Sequence, residues 1–443
     1  GRTMYYGRSL DDLAPKYVID TVKNLKARRT KLRELEQKRD KLEADYAKLS
    51  EKEQYAKHGE LDTARKLAED ALLDITKIVG GFLVVDDLDP VIAAYSKDYA
   101  IARKLSSMEE KRQELQVDVD DAEYAKKTAE EAGKSGKDGQ LQKAQEKLKQ
   151  CDDQIAALRA QLDADRKEIE ALRAPYANDP EFLKYEAYRD DGIDLARLEY
   201  NEMRRLRRDM QLIFQDPYSS LNPRMSVGQI ISEGMQAHNM IKKKDARMQE
   251  MVLKIMDDCG LAPYFLHRFP HQFSGGQRQR IGIARALATK PKFVVCDEPV
   301  SALDVSIQAQ IINLLLDLKE QQNLTYMFIT HDLSVVKYIS DRVGVMYLGT
   351  MVELAAADEI FHHPIHPYTE ALLNAIPTTD TVGAKELSIL EGDIPSPVNP
   401  PKGCKFHTRC KYCTEICTQV VPEWEEVRPN HFVACHHKLE AKE

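Results

Sequence analysis

The residues best suited to chemistry in this chain lie close together, between positions 273 and 304. A Ser274-Gly275-Gly276 turn opens a predicted helix, and the free N–H groups of a helix N-terminus bind phosphate, which glycine allows to approach closely. The apolar run Phe293–Cys296 predicts a strand, and two acids, Asp297 and Glu298, follow it directly. One carboxylate can bind a metal ion while the other lies beside a water molecule. The pattern therefore predicts a site for a phosphate compound.

Two further polar side chains follow predicted strands. Gln215 comes directly after the apolar run Met210–Phe214, and His331 follows the run Tyr326–Ile329 with one residue between. Strands that alternate with helical segments predict a parallel sheet, and ligands of such sheets bind at the edge where the strands end. We therefore expect Gln215, the two acids and His331 to converge on one phosphate.

Each of these side chains has a role that phosphoryl transfer needs. Asp297 can hold Mg²⁺, Glu298 can act as a general base, and His331 can exchange a hydrogen bond with the γ-phosphate or the attacking water. The side-chain oxygen of Gln215 can also bind Mg²⁺. Taken singly, the acids could cap a helix and His331 could belong to a surface turn, but their order along the chain favours the catalytic interpretation.

These motifs resemble those of the ATP-binding cassette (ABC) ATPases, with a signature at 274–277, Walker B acids at 297–298 and a D-loop at 301–304. The resemblance implies an α/β fold of the P-loop NTPase type, with a parallel sheet and a helical subdomain, and ATP with Mg²⁺ as cofactors. In that family two ATPase subunits pair head to tail, so the signature would serve the partner's ATP and the D-loop would act across the interface. The resemblance assigns nucleotide binding to Gln215, Ser274, Gly275, Gly276, Gln277, Asp297 and Asp304, and catalysis to Glu298 and His331.

Such ATPases also hold nucleotide with a GxxxxGK[ST] loop upstream of the signature. The nearest match here, Gly133-Lys134-Ser135, has Thr128 where the first glycine belongs and no apolar strand before it. It predicts a polar bend between two charged helices. Residues 1–10 resemble the strand and turn that follow the first helix of the family. We therefore expect the sequence to be a fragment, or a gene product without its front end.

Further stretches resemble the ATPase subunits of oligopeptide and dipeptide importers. This resemblance implies a peripheral subunit on the cytoplasmic face of the cell membrane. It would pair with a second ABC ATPase subunit, as a homo- or heterodimer, and dock on two transmembrane permease subunits through the Gln215 loop and the helices after it. An extracytoplasmic peptide-binding protein would take part indirectly. The matching stretches are Gln211 to Met225, His366 to Thr369, Ile376-Pro377, Gly392 to Pro397 and Gly403 to Cys410.

Cysteines cluster near the end of the sequence, where five of the eight fall between positions 404 and 435. In a chain with no sign of export, such clustering favours metal binding over disulfides. The importer resemblance implies an iron–sulfur cluster, although four thiolates also suit zinc and the thiols could remain unliganded. Cys413 is additional, and His407 and His436 lie nearby. The cysteines that match the family are Cys404, Cys410, Cys417 and Cys435. The cysteines expected to be buried are Cys151, Cys259 and Cys296.

Residues 11–198 are rich in Lys, Glu, Ala, Leu and Asp. Apolar residues recur at heptad spacing from Leu25 to Leu49 and again from Leu141 to Leu172, which predicts an inserted antiparallel helical coiled coil. Apolar residues from Ile101 to Val119 are compatible with a third helix, and the segment Ile78 to Tyr95 predicts a small packed tip. This insertion departs from the family. A solvated helix bundle without chemistry is the simpler interpretation, and a docking arm for a partner protein is the sharper one.

Composition limits the remaining possibilities. Of the 443 residues, 43% are hydrophobic and 31% charged, and the longest apolar run, Ile78 to Val85, is too short to span a bilayer. The net charge of −8 argues against a general nucleic-acid-binding protein.

We expect a remnant of an N-terminal ABC strand and turn at 1–10, the coiled coil at 11–198, the ABC ATPase at 199–365 and a cysteine-rich region at 366–443.

The motifs together predict an ATP-binding and ATP-hydrolysing subunit of an ABC importer that drives uptake of oligopeptides or dipeptides. One alternative is a catalytically silent subunit that completes a partner's ATP site and recruits proteins through its coiled coil. The missing phosphate loop favours this alternative. A second is a non-transport ABC ATPase that acts on DNA ends or ribosomes, against which the importer-like tail and the acidic charge both argue.

Overall fold

The structure, a computed structural model, describes residues 2–132, 138–242, 247–375 and 392–439. Two sequence motifs, Gly133-Lys134-Ser135 and Ile376-Pro377, lie outside the described residues. The chain divides into two compact units. The first comprises residues 1–211, 221–273 and 283–293, and the second comprises 212–220, 274–282 and 294–443.

The first unit begins with a short strand, β1 (Met4–Tyr5), which pairs antiparallel with β2 (Ile193–Asp194). Nearly all of the predicted insertion lies between these two strands. It is helical, in agreement with its composition. Its helices are α1 Leu10–Leu13, α2 Lys16–Lys23, α3 Leu25–Tyr46, α4 Glu51–Val79, α5 Asp89–Glu131, α6 Asp138–Arg173 and α7 Pro180–Glu186.

The long helices form two antiparallel hairpins. In the α5–α6 hairpin, Lys97 lies 2.7 Å from Asp165 and Arg112 lies 2.6 Å from Asp152, so positions rise along α5 as they fall along α6. The helices α3 and α4 pair in the same way. The sequence predicted one hairpin made from the two heptad stretches, and this pairing was wrong. Each stretch packs on its neighbour in sequence, because a short connection costs less chain entropy to close. Supercoiling of these helices stays a prediction.

The segment Ile78–Tyr95 is not a tip, as the sequence suggested, but part of the buried core of the first unit. Phe82 is 1% exposed, and its ring meets those of Tyr95 and Phe182 edge to face at 6.2 and 5.6 Å. Leu25 and Ile169, from the two predicted heptad stretches, contribute to the same core. Large apolar side chains at the base of both hairpins are excluded from water together, which explains why this segment is internal.

The remaining helices of the first unit are α8 (Tyr200–Leu206), α9 (Val227–Ala237) and α10 (Met248–Asp258). Capping boxes begin two of them, at Glu199 before α8 and at Ser226 before α9. Each box satisfies two backbone N–H groups that a helix start would otherwise leave unpaired.

A three-stranded sheet has the order β3-β4-β5, with β3 at Met210–Ile213, β4 at Phe293–Asp297 and β5 at Thr325–Ile329. Helices separate each strand from the next, as parallel strands require. The helix α11 (Gly275–Leu287) precedes β4, and α12 (Val305–Gln322) follows it. All three predicted strands are present, and their ends differ from the predicted ones by at most one residue.

A second, antiparallel sheet in the second unit consists of β6 (Arg342–Tyr347), β7 (Thr350–Ala356), β8 (Glu425–Arg428) and β9 (His431–Val433), in the order β6-β7-β9-β8. Its hairpin turns at Leu348-Gly349, where both residues have positive φ, and β9 of the tail pairs with β7. Phe406 of the tail is 2% exposed in the core beneath this sheet. The tail, for which the sequence predicted metal binding, thus shares a hydrophobic core with this sheet. The elements are α13 Leu333–Ile339, β6 Arg342–Tyr347, β7 Thr350–Ala356, α14 Ala357–His362, α15 Pro367–Asn374, α16 Glu415–Gln419, β8 Glu425–Arg428 and β9 His431–Val433.

Across the described residues, every helix is either too short or too polar to cross a membrane.

Candidate functional site

Three of the predicted site residues meet at the ends of β3, β4 and β5, and all three belong to the second unit. The Nε2 atom of Gln215 donates a hydrogen bond of 2.6 Å to Oε2 of Glu298. Nδ1 of His331 lies 3.1 Å from Oε1 of the same carboxylate. The side chain of Glu298 is 24% exposed and that of His331 is 73% exposed. One carboxylate is therefore held from both sides and remains accessible to a ligand.

The backbone of Glu298 is strained. Its φ is +42°, in a region that residues with a Cβ rarely occupy. Three bonds hold this conformation. The Glu298 N–H donates to the carbonyl of Ile329 at 2.9 Å, and the Glu298 carbonyl accepts from Oγ and the N–H of Ser301 at 3.1 and 3.2 Å. Strain of this kind persists where surrounding structure fixes it, and it is common at active sites. The bond to Ile329 also ties the ends of β4 and β5 together.

Neither acid caps a helix, whereas His331 does lie in an exposed bend before α13. The N-cap of α12 is Asp304, not Asp297 or Glu298. Asp332, rather than His331, caps α13 by accepting hydrogen bonds from two backbone N–H groups. Asp297 is the last residue of β4 and is half-buried. His331 is thus left available for its contact with Glu298.

Asp304 caps α12 through its backbone. Its carbonyl accepts from the N–H of Gln308 at 2.8 Å, whereas within the described residues its carboxylate makes no capping bond. The preceding turn is held by Gln308, whose Nε2 donates to the carbonyls of Val300 and Leu303 at 3.1 and 3.0 Å. The turn is therefore fixed without use of the Asp304 carboxylate, which stays available for another partner.

The predicted Ser274-Gly275-Gly276-Gln277 turn begins α11. Ser274 and Gln277 form a reciprocal pair, in which the Ser274 N–H donates to Oε1 of Gln277 at 3.1 Å and the Gln277 N–H donates to Oγ of Ser274 at 3.4 Å. A Cβ on Gly276 would lie 2.6 Å from Cγ2 of Ile307, so α12 packs closely there. A Cβ on Gly275 would make only an ordinary contact of 3.5 Å. Glycine is thus required for helix packing at Gly276, whereas Gly275 could accommodate a Cβ.

The loop after β3 has contacts that the sequence analysis missed. The guanidinium of Arg278 lies 3.9 Å from the ring centroid of Tyr218, and Nε2 of Gln279 lies 3.5 Å from the carbonyl oxygen of Phe214. Gln279 is only 2% exposed. Glutamine is rarely so buried, and the contact with the Phe214 carbonyl gives its amide a polar partner. The sequence does show that Arg278 and Gln279 directly follow the signature. It does not show which residues they contact.

The cysteine-rich tail brings several thiols close together. Burial raises the pKa of Cys404, Cys410 and Cys435, the last to about 12, and neighbouring thiols contribute to each shift. Gly403 fixes the local backbone, since its φ is +65° and a Cβ there would lie 2.5 Å from the carbonyl oxygen of Cys417. Over the described residues, however, no three His, Cys, Asp or Glu side chains are arranged so that they could hold a metal ion. This geometry does not support the metal site expected from the cysteines.

The remaining cysteines behave as predicted. Cys151, Cys259 and Cys296 are all buried. Burial raises the pKa of Cys296 to about 12. In the tail, the aromatic rings of Trp424 and Phe432 stack with 6.0 Å between their centroids.

Two family models match the chain. The model for ABC transporters matches residues 184–301, and the model for the C-terminal region of oligopeptide/dipeptide transporters matches residues 352–417. The first match includes Gln215, the signature and both acids. The second includes Cys404, Cys410 and Cys417.

Several curated proteins are similar to this chain over a little more than half of its length. An oligopeptide transport ATP-binding protein of Bacillus subtilis, AppF, is 52% identical over 250 residues, which cover 55% of this chain and 75% of the relative. The oligopeptide transport ATP-binding protein OppF of Salmonella typhimurium is 52% identical over 249 residues, which cover 55% of this chain and 73% of the relative. The solved structure of cbiO1 from Clostridium perfringens, part of the ABC transporter complex cbiONQ, is 28% identical and covers 39% of this chain and 68% of that one. Its TM-score of 0.35 is too low to support an argument.

Proposed function

Since this chain belongs to the family of ABC transporter ATP-binding proteins of the oligopeptide and dipeptide class, we propose that it is the ATP-binding and ATP-hydrolysing subunit of an importer for such peptides. The observation that carries the proposal is the contact of Gln215 and His331 with one carboxylate, Glu298, where three strands end.

The geometry suits activation of a water molecule. Glu298, as a carboxylate, takes a proton from the water, and the water oxygen forms a bond to the γ-phosphorus of ATP. The bond to the bridging oxygen breaks, and ADP leaves with its electron pair. Gln215 and His331 hold the carboxylate in place, so little reorganisation is needed during the reaction. His331 lies on the more exposed side and is suited to contact the γ-phosphate.

Oxygen ligands for Mg²⁺ are present at the same edge. The amide nitrogen of Gln215 faces Glu298, so the amide oxygen is the ligand atom that remains, and Asp297 adds a carboxylate at the end of β4. Hard oxygen donors of this kind fit Mg²⁺. When bound, the ion neutralises the charge of the phosphates. We assign Asp297 and Gln215 to the metal, and Glu298 and His331 to catalysis.

The signature and the D-loop are proposed to act on a partner subunit. The reciprocal Ser274–Gln277 pair at the start of α11 supports binding of the partner's ATP at residues 274–277, as does Gly275, where an added Cβ would make only an ordinary contact. The unused carboxylate of Asp304 supports a contact across the subunit interface. The subunit would work with a second ATPase and two permease subunits on the cytoplasmic face of the membrane, with an extracytoplasmic peptide-binding protein acting indirectly. We further propose that the chain divides into the ranges 1–10, 11–198, 199–365 and 366–443. In this proposal, the helical segment 11–198 is an insertion that serves as a docking arm for a partner protein.

An iron–sulfur cluster on Cys404, Cys410, Cys417 and Cys435 is a further part of the proposal, with zinc as the alternative. The donor set supports it, because buried neighbouring thiols with raised pKa values gain from a metal that stabilises their thiolates. The side-chain geometry of the structure does not support a metal site among the described residues. Iron, sulfide and zinc content of anaerobically purified protein tests it. Cys413→Ser should leave the metal content unchanged and Cys410→Ser should lower it, whereas metal-free wild-type protein would contradict the proposal.

Replacement of Glu298 tests the catalytic assignment. In the assembled transporter, Glu298→Gln should lower kcat at that site by about a hundredfold or more while ATP binding persists, because an amide cannot accept the proton. Glu320→Gln, on the exposed face of α12, is the matched control and should leave kcat unchanged. Unchanged turnover in Glu298→Gln would reject the assignment.

The alternative, a silent subunit that completes a partner's site, is favoured by one sequence observation. The only GK[ST] tripeptide of this chain has Thr128 where the first glycine of a phosphate loop belongs. Nucleotide binding separates the two functions. Tight binding of Mg-ATP by this chain alone would exclude the silent subunit, and its absence would favour it.

A further inference from the structure

The loop that carries Gln215 is held on both sides by the signature helix α11. On one side, the buried amide of Gln279 contacts the carbonyl oxygen of Phe214 at 3.5 Å. On the other, the guanidinium of Arg278 lies 3.9 Å from the ring centroid of Tyr218. Two consecutive residues of one helix therefore contact the loop directly before Gln215 and shortly after it. All of these residues belong to the second unit.

The loop between these two contacts is stiff. The carboxylate of Asp216 accepts a hydrogen bond of 2.7 Å from the N–H of Tyr218, and its carbonyl accepts one of 3.2 Å from the N–H of Ser220. The backbone bond from Tyr218 also lowers the pKa of the Asp216 carboxyl. A turn closed by its own aspartate resists bending. Displacement of either anchor should therefore reach Gln215 instead of being absorbed by the loop.

We propose that Arg278 and Gln279 are positioning residues that set Gln215 against Glu298. The signature would then serve two purposes through one helix. The first turn of α11 would bind the partner's nucleotide. Through Arg278 and Gln279, a shift of α11 on that binding would change the position of Gln215 relative to Glu298 in this subunit's own site. This inference rests on the proposed function and names the side chains that couple the two ATP sites.

The contact between Arg278 and Tyr218 allows a sharp test, because a guanidinium interacts with the face of the ring and not with the hydroxyl. In the assembled transporter, Tyr218→Phe should therefore keep kcat within about twofold of the wild type. Tyr218→Leu and Arg278→Gln should each lower kcat by about three- to tenfold with little change in KM for ATP. The double variant should be no worse than either single one, since both remove the same interaction.

A second cation–aromatic pair in the chain provides the control. Arg268 lies 5.4 Å from the ring centroid of Tyr264, which is 69% exposed, compared with 60% for Tyr218. Tyr264→Leu should leave kcat unchanged. The inference is overturned if Tyr218→Leu matches the wild type, if Tyr218→Phe is as impaired as Tyr218→Leu, or if Tyr264→Leu has the same effect.

Amide hydrogen exchange separates this inference from the proposed function, because it needs no ATP. In the nucleotide-free chain, Tyr218→Leu should speed exchange in residues 212–220 at least severalfold, whereas Tyr218→Phe should not. Faster exchange without any ATP hydrolysis by the wild type would contradict the proposed function and leave the positioning role intact. Unchanged exchange in an active transporter would contradict the positioning role alone.

Discussion

Gln215 donates a hydrogen bond of 2.6 Å to Glu298, although the two residues follow different strands of the sheet. A carboxylate at position 215 would replace this donor with a second negative charge. We therefore expect Gln215→Ala to lower kcat by about tenfold and Gln215→Glu by about a hundredfold. The activity of Gln215→Glu should recover partly at lower pH, because one proton shared by two carboxyls removes the repulsion.

The measurement is kcat of the assembled transporter across a range of pH, with Gln321→Glu on the exposed end of α12 as the control. Equal rates for the two Gln215 variants, or a pH profile identical to that of the wild type, would show that the contact with Glu298 does not matter in the working enzyme.

Two glycines of α11 should respond to alanine in opposite directions. At Gly276 the added methyl would meet Ile307 at 2.6 Å, so Gly276→Ala should destabilise the protein by about 1–3 kcal/mol. At Gly282 nothing lies within 4 Å of the added atom, and alanine favours a helix, so Gly282→Ala should stabilise it by about 0.5–1 kcal/mol. Denaturant unfolding of both variants measures the difference. Similar effects at the two positions would show that α11 and α12 are not in close contact at Gly276.

The stability of the second unit should fall in mild acid because of His366. This residue is 1% exposed, and burial lowers its pKa to about 4. Its folded pKa is thus below its unfolded value of about 6.5. The unfolded chain binds the extra proton between these values, so stability is present above about pH 6.5 and is lost as pH falls toward 4.

His366→Asn removes this titration and keeps an acceptor for the N–H of Tyr368, which Nδ1 of His366 now accepts at 3.0 Å. Between about pH 7 and 4.5 the wild type should lose about 2–3 kcal/mol more free energy of unfolding than the variant. Equal losses from pH-dependent denaturation curves would mean that His366 is not buried in its neutral form.

Alkylation should distinguish the cysteines. Cys413 is exposed, whereas Cys296 is fully buried with a pKa raised to about 12. A thiol reagent should therefore label Cys413 in the folded protein and reach Cys296 only after unfolding. Peptide mapping by mass spectrometry measures both. If a metal is present, Cys404, Cys410, Cys417 and Cys435 should also be protected until a chelator is added. Rapid labelling of Cys296 under native conditions would contradict the fold around β4.

Strand ends were predictable from sequence because apolar runs and the polar residue after each run are local features. This is why Gln215, Glu298 and His331 could be expected to meet. The contacts of Arg278 and Gln279 could not be predicted, since they join segments far apart in sequence and follow no period. The prediction of which long helices pair was wrong for a related reason. Heptad spacing identifies an apolar stripe but not the helix that covers it, and short connections decided the partner.

The pairing of β1 with β2 bears on the proposal that residues 11–198 are an insertion. Tyr5 is directly opposite Ile193, so the helical segment between the two strands begins and ends at neighbouring points. An inserted segment whose ends are adjacent can be gained or lost in a single genetic event without moving the strands that flank it. On the proposal of an insertion, the helical hairpins can therefore vary in length and sequence without displacing the strands on either side, or the proposed nucleotide site.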